Sequence, residues 1–389
     1  MKNINKNIIA LGWVSFFTDM ASAMLVPIIP IFVVSVLQSG ADKLGVILAV
    51  SSFISYFLRF FTGYIAEKNK LVKPLMVIGY VISAVCKPLF FWSYTWQSVA
   101  ALRGTERIGK SIRTAPKDLM ISHYSEVKKS GQSFGFHKMM DISGELTGIL
   151  VVFILFYFYS SSEALIRQIF IYTAIPGLIA VFIMAFFVQD ITYHKKEKAE
   201  FKFARQDRKL LVPMMFFFLF TFFIFEESFF ILRSKELSFS LTLIPLLVLV
   251  SKLTQTLVSY KIGLLVDQHD HKKMMAVAYL SGVISLSLFI SGESWLIWIG
   301  FAVYGFYCVS SLNILRALIS EQASQTGGMF GVFYAGMAVS LALSALVFGH
   351  FWEAYGGQTA LTVSLAGSSV LLAIYLIYLF FVNKLHKMK

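Results

Sequence analysis

Arg103, Arg107 and Lys110 recur at spacings of four and three inside one largely apolar stretch, which puts them on one face of a helix. Glu106, four residues before Lys110, has the spacing of a helical ion pair. The next apolar stretch carries His137, Asp141 and Glu145 at spacings of four, again on one face. Taken as antiparallel neighbours, the two stretches bring Asp141 to about the depth of Arg107. Asp19 lies half way along the first apolar stretch. An ionisable side chain in hydrocarbon costs at least about 2.5–3.5 kcal/mol, so such groups face a partner or a cavity.

Two kinds of chemistry suit these residues. Guanidinium and ammonium groups hold a carboxylate or phosphate through charge-assisted hydrogen bonds. That makes Asp19, Arg103, Arg107, Lys110 and, in the second half, Lys252 candidates for contact with a solute. Buried carboxylates exchange protons when their access to water changes, because desolvation and neighbouring cations act on them in opposite directions. Asp19, Asp141, Glu145, Glu226, Glu227 and His137 are the candidates for that role. A third reading is open beside these: the charges form a satisfied ion-pair network that binds nothing.

Glu226 and Glu227 are adjacent, so on a continuous helix they point about 100° apart and one at most faces a cavity centre. Lys252 has no acid in its own stretch, and a partner on the stretch of Glu226 and Glu227 is the simplest solution. No metal site is expected, since His269 and His271 stand in a loop without a ligand set. Cys86 and Cys308 lie far apart in apolar sequence and form no ligand spacing. No Ser-His-Asp pattern, HExxH or phosphate-binding loop is found, so neither an enzyme nor a cofactor is expected.

The elements that carry these residues follow from composition. Of 389 residues, 57% are hydrophobic and 14% charged, well away from the roughly one quarter charged of soluble domains. A helix crossing about 30 Å of hydrocarbon needs about 20 apolar residues. Such runs fall near 8–37, 43–66, 72–93, 96–122, 131–159 and 165–189, then near 210–235, 240–266, 272–291, 294–320, 328–353 and 358–383. The expected fold is all-α and integral to a membrane: twelve transmembrane helices as two pseudo-symmetric six-helix bundles. The first stretch runs on past Pro27 and Pro30 without a small-residue cleavage site, which reads as a membrane helix and not a signal peptide.

Residues 190–209 form the one long polar stretch, rich in Lys and Arg, and read as a basic linker between bundles 1–189 and 210–389. The net charge of +13 comes largely from such loops, the pattern that sets orientation and not a nucleic-acid surface. It puts both termini in the cytoplasm. The halves echo each other at an offset of about 200 residues, half the chain. Gly63-Tyr-Ile-Ala-Glu67 is matched by Gly263-Leu-Leu-Val-Asp267, and Phe134-Gly135-Phe136 by Phe330-Gly331-Val332.

This layout resembles the major facilitator superfamily, with parallel half repeats joined by a basic loop. Gly63 to Lys73 is similar to that family's loop between helices two and three, with Glu67 where Asp is usual; Gly263 to Lys273 is the closer copy. Thr18-Asp19 with Ser22, Pro27 and Pro30 resembles one prokaryotic branch of the family. So do Glu106-Arg107-Ile-Gly-Lys110, Arg113-Thr-Ala-Pro-Lys-Asp118 and Phe134-Gly-Phe-His-Lys138 with Asp141. The chain departs from that branch in having Ala23 where an acid is usual and Glu145 where a small residue is usual.

The resemblance implies a secondary active transporter of the prokaryotic cytoplasmic membrane, moving a small polar or anionic solute by alternating access. Buried acids favour coupling to protons. Gly63, Glu67, Arg113, Asp118, Gly263 and Asp267 are implied as gating residues. The expected partners are a small solute, protons and the lipid bilayer, without nucleic acid, and the chain is expected to act as a monomer. An amphiphilic or chelating solute (a siderophore, a lipid precursor, an exported drug) or a membrane receptor that transports nothing are the alternatives.

Overall fold

The computed structural model describes residues 5–69, 72–125, 130–159, 162–191, 205–266, 270–324 and 326–387. Every regular element among them is helical. The chain divides into two compact units, Met1–Ala199 with Leu241–Leu246, and Glu200–Ser240 with Leu247–Lys389.

The first unit begins with α1 (Lys6–Leu25), α2 (Ile28–Ile31) and a π-helical turn at Phe32–Val36. This one apolar run is interrupted at Pro27 because a proline has no amide to donate to the preceding turn. Then follow α3 (Ala41–Asn69), α4 (Val72–Leu89), α5 (Trp96–Tyr124) and α6 (Ser130–Tyr159). The last run is α7 (Glu163–Tyr172) and α8 (Ala174–Phe186), parted at Thr173 shortly before Pro176.

The second unit holds α9 (Leu211–Phe223), α10 (Glu227–Glu236), α11 (Ile244–Val266) from Leu247 onward, and α12 (His271–Ser291). It ends with α13 (Ser294–Gln322), α14 (Thr326–Tyr355) and α15 (Gly357–Lys387). The stretch expected as one continuous seventh helix is broken between α9 and α10, with Glu226 in extended backbone. The break is tolerated because its carbonyls find donors: Tyr304 Oη donates to Phe225 O at 3.1 Å, and Ser364 donates to Phe223 O.

Ten of the described helical stretches are long and apolar enough to cross a bilayer. Two expected spans fall outside that measure: α5, with its many charges, and α11, of which Ile244–Ser259 counts as a shorter apolar helix among the described residues. Their lengths of 29 and 23 residues still suffice to cross about 30 Å at 1.5 Å per residue.

Close helix contacts fix the geometry of the first unit. A Cβ built on Gly144 or Gly148 would collide with the carbonyl oxygens of Phe16 and Met20, so α1 and α6 pack backbone to backbone. Gly79 and Gly109 do the same for α4 and α5, where a Cβ on Gly79 would lie 2.6 Å from Gly109 O. Leu11, Met76, Tyr80, Met120 and Met184 join α1, α4, α5 and α8 in one apolar core. At one end of the unit, Tyr124 Oη donates to the carbonyls of Gln189 and Asp190 at 3.1 Å each, and Gln189 N donates to Asn7 Oδ1 at 2.9 Å.

Candidate functional site

Within the first unit, polar residues of α1, α4, α5 and α6 line a cavity of about 200 Å³. From α1 come Ser15, Thr18 and Asp19, and from α4 comes Tyr80. Lys110, Arg113, Thr114 and Lys117 come from α5, and Lys138, Asp141 and Glu145 from α6. On α1, α5 and α6 the lining positions (15, 18, 19; 110, 113, 114, 117; 138, 141, 145) recur with the helical period, so one face of each does the lining.

Asp19 is the focus of the charges. Lys110, Arg113, Lys117 and Lys138 all act on it across the cavity. Lys117 Nζ also lies 3.9 Å from Asp141 Oδ2. Asp141 Oδ1 is 3.4 Å from His137 Nδ1, and His137 Nε2 shares a 2.8 Å hydrogen bond with Ser15 Oγ. Arg113, only 5% exposed, lays its guanidinium 4.4 Å from the centre of the Tyr80 ring. Its Nη1, Thr18 Oγ1 and Asp141 Oδ1 are buried without a hydrogen-bond partner among the described residues.

The sequence-predicted residues separate into groups. Asp19, Lys110, Asp141 and Glu145 meet in the cavity, with His137 directly behind Asp141. Arg103 and Arg107 do not line it. Arg103 Nη1 instead holds Glu106 Oε2 at 2.6 Å, and Lys87 Nζ stands 3.9 Å from Glu106 Oε1. The carboxylate whose spacing suits Lys110 is thus engaged by Arg103 and Lys87.

The depth relation between Asp141 and Arg107 is corrected as well. Asp141 is eleven residues into α6 (141 − 130) and Arg113 eleven from the end of α5 (124 − 113), so helices sharing a short connection bring these two level. Arg107 is six residues further, about 9 Å along the axis. For the same reason Arg113, implied from sequence as a gating residue, lines the cavity, and Lys117 one turn further on α5 lines it too.

Lys87 was missed, as were Tyr80 and Lys138 of the cavity lining. Lys87 stands in the apolar run of α4 fourteen residues after Lys73 (87 − 73), fully buried, donating to Ser83 Oγ at 2.7 Å. The cost of a charge in a membrane span was the available signal.

In the second unit Lys252 Nζ lies 3.4 Å from Glu227 Oε2. Glu227 is the first residue of α10 and Glu226 its N-cap, so the two are not neighbours on a continuous helix. Asp118 is exposed on α5. The surroundings of Gly63 and Gly263, the side chain of Glu67 and the whole of Asp267 lie outside what is described, as do residues 192–204 of the expected linker. Asp207, near the linker's end, accepts from Ser324 N and Oγ at 2.8 and 2.6 Å.

The family model described as Major Facilitator Superfamily matches residues 11–253. An uncharacterised MFS-type transporter of Methanocaldococcus jannaschii is 29% identical over 367 residues, 90% of each chain. An uncharacterised protein of Mycobacterium tuberculosis is 30% identical over 108 residues, 28% of this chain and 26% of its own. The crystal structure of the nucleoside transporter NupG has a TM-score of 0.76 at 16% identity, covering 96% of this chain and 99% of NupG. A POT family transporter in complex with 5-aminolevulinic acid scores 0.77 at 12% identity, covering 97% and 96%. At such identities the likeness to the solved structures is one of fold. With the family model matched over well more than half its length, this chain belongs to the major facilitator superfamily and is a multi-pass membrane transporter, not an enzyme.

Proposed function

We propose that this transporter moves a small polar or anionic solute across the prokaryotic cytoplasmic membrane by alternating access, coupled to protons, with both termini in the cytoplasm. The observation that carries the reading is Asp19 among four cations in the cavity of the first unit. A solute anion and the Asp19 carboxylate compete for Lys110, Arg113, Lys117 and Lys138. A proton on Asp19 releases these cations to the solute, and departure of the solute together with loss of that proton to water on the other side returns them to the Asp19 carboxylate. The other groups facing this exchange are Tyr80 from α4 and Asp141, Glu145 and His137 from α6.

In the second unit the Glu227–Lys252 pair at a broken helix supports a complementary role, since discontinuous helices place polar groups and free backbone at membrane depth. Gly63 and Glu67 near the end of α3, Gly263 near the end of α11 and Asp267 after it, with Asp118 on α5, serve as gates, and residues 190–209 join the halves.

Purified protein in liposomes loaded with a pH-sensitive dye tests this against carboxylates, phosphate esters and amino acids. Solute-dependent proton entry is expected, reduced about tenfold or more in Asp19→Asn. Solute flux without proton flux and indifferent to pH would remove the coupling; binding without flux would favour a receptor.

A further inference from the structure

We propose that the cavity of the first unit takes a small zwitterion, its anionic group seated on Arg113 and its cationic group on Glu145. This rests on the transporter reading above and narrows its solute class.

Size and lining are the first argument. A cavity of about 200 Å³ lies below the roughly 300–1,000 Å³ of drug-sized sites, so the solute is a small metabolite. No aliphatic side chain is among the lining residues. The single ring, that of Tyr80, is covered by the Arg113 guanidinium. An amphiphilic solute finds little apolar surface here.

Charge is the second. Four cationic and three acidic side chains line the space, a net of +1 (4 − 3). A polyanion would meet Asp141 and Glu145, and a simple cation would meet the four basic groups. Like charges held together in a confined site act against both. A solute with one charge of each sign meets a partner for each.

The unpaired groups are the third. Lys117 and Asp141 pair across the cavity at 3.9 Å, as a purely structural network requires. Arg113 and Glu145 line the same cavity from α5 and α6, yet neither forms an ion pair among the described residues. Arg113 Nη1 is a buried donor lacking an acceptor, and Thr18 Oγ1, on a residue 3% exposed, is a second buried polar atom without a partner. Glu145 supplies the acceptor for a cation. Together these ask for a ligand that accepts at one end and donates at the other.

Thermal-shift binding to the purified protein tests the proposal. The probes are the twenty proteinogenic amino acids, γ-aminobutyrate, glycine betaine and carnitine, each beside a carboxylate-only and an amine-only analogue of matched size. At least one zwitterion is expected to stabilise the protein, with neither of its analogues doing so at tenfold higher concentration. Glu145→Gln and Arg113→Gln are each expected to weaken it about tenfold or more. In Glu145→Gln the carboxylate-only analogue is expected to give a stabilisation that it does not give the unaltered protein, because the opposing carboxylate is gone, which loss of folding would not do. Thr18→Val, a smaller perturbation, provides a second variant with weakened zwitterion binding should Arg113→Gln fail to fold. Failure of every zwitterion, or equal stabilisation by carboxylate-only analogues, overturns the proposal. Proton entry driven by a simple anion would overturn it while leaving the transporter reading intact. A zwitterion that binds at Arg113 and Glu145 but drives no flux would support the site and count against proton-coupled transport.

Discussion

Glu106 and its two cations show how a buried charge is kept in a membrane helix. Lys87 and Glu106 have fully buried side chains, and Arg103 closes the group from one turn earlier on α5. Removing a carboxylate from such a set leaves cations without compensation, at a cost of about 3–5 kcal/mol. Glu106→Gln is therefore expected to lower stability in detergent by that order, read by unfolding of the purified protein. The double variant with Lys87→Met should recover part of the loss, because one uncompensated charge is gone. An unchanged melting point in Glu106→Gln would show that the three do not act as a unit. At this scale the sequence identified Asp19, Lys110, Asp141 and Glu145 as a group, because intramembrane charges at helical spacing are conspicuous. It placed Arg103 and Arg107 in the wrong company, since spacing on one helix says nothing of which neighbour the face meets.

Glycines decide how near the elements come. Gly144 and Gly148 let α1 and α6 touch along their backbones, which brings Asp19 beside Asp141 and Glu145. Gly144→Ala drives a methyl into the Phe16 carbonyl, and overpacking of this kind costs about 1–3 kcal/mol. We expect a lower melting temperature and reduced solute-dependent proton entry. Gly135→Ala is the matched control, because a Cβ there meets nothing within 4 Å and alanine favours the helix by up to about 1 kcal/mol over glycine. Equal destabilisation by both would exclude close packing as the reason for Gly144. The helix limits themselves were legible from hydropathy. The break at Ile224–Glu226 was not, because the donor that satisfies Phe225 O is Tyr304, 79 residues away in sequence.

For the whole molecule, orientation is encoded in the loops. Lys195, Lys196, Lys198, Lys202 and Arg205 crowd the stretch between the two sets of helices, and such residues are retained on the cytoplasmic side. Reporters fused after Lys389 and before Met1 are expected to be active only in their cytoplasm-dependent form; activity of an export-dependent reporter at either end would reverse the topology. Hydropathy, loop charge and the repeat of Gly63–Glu67 at Gly263–Asp267 pointed to a helical membrane protein in two related halves, because a bilayer admits few solutions and each leaves a long-range pattern in composition; the superfamily was reached through the resemblance of the motifs around Asp19, Arg107 and Asp141. The cavity was settled only by tertiary structure. Whether Asp141 meets Arg107 or Lys117, whether Glu106 is held by Lys110 or by Arg103 and Lys87, and whether Arg113 faces a gate or Asp19 depend on helix register and on gaps opened by glycine. Those quantities are set by packing between distant segments, and local spacing leaves them open.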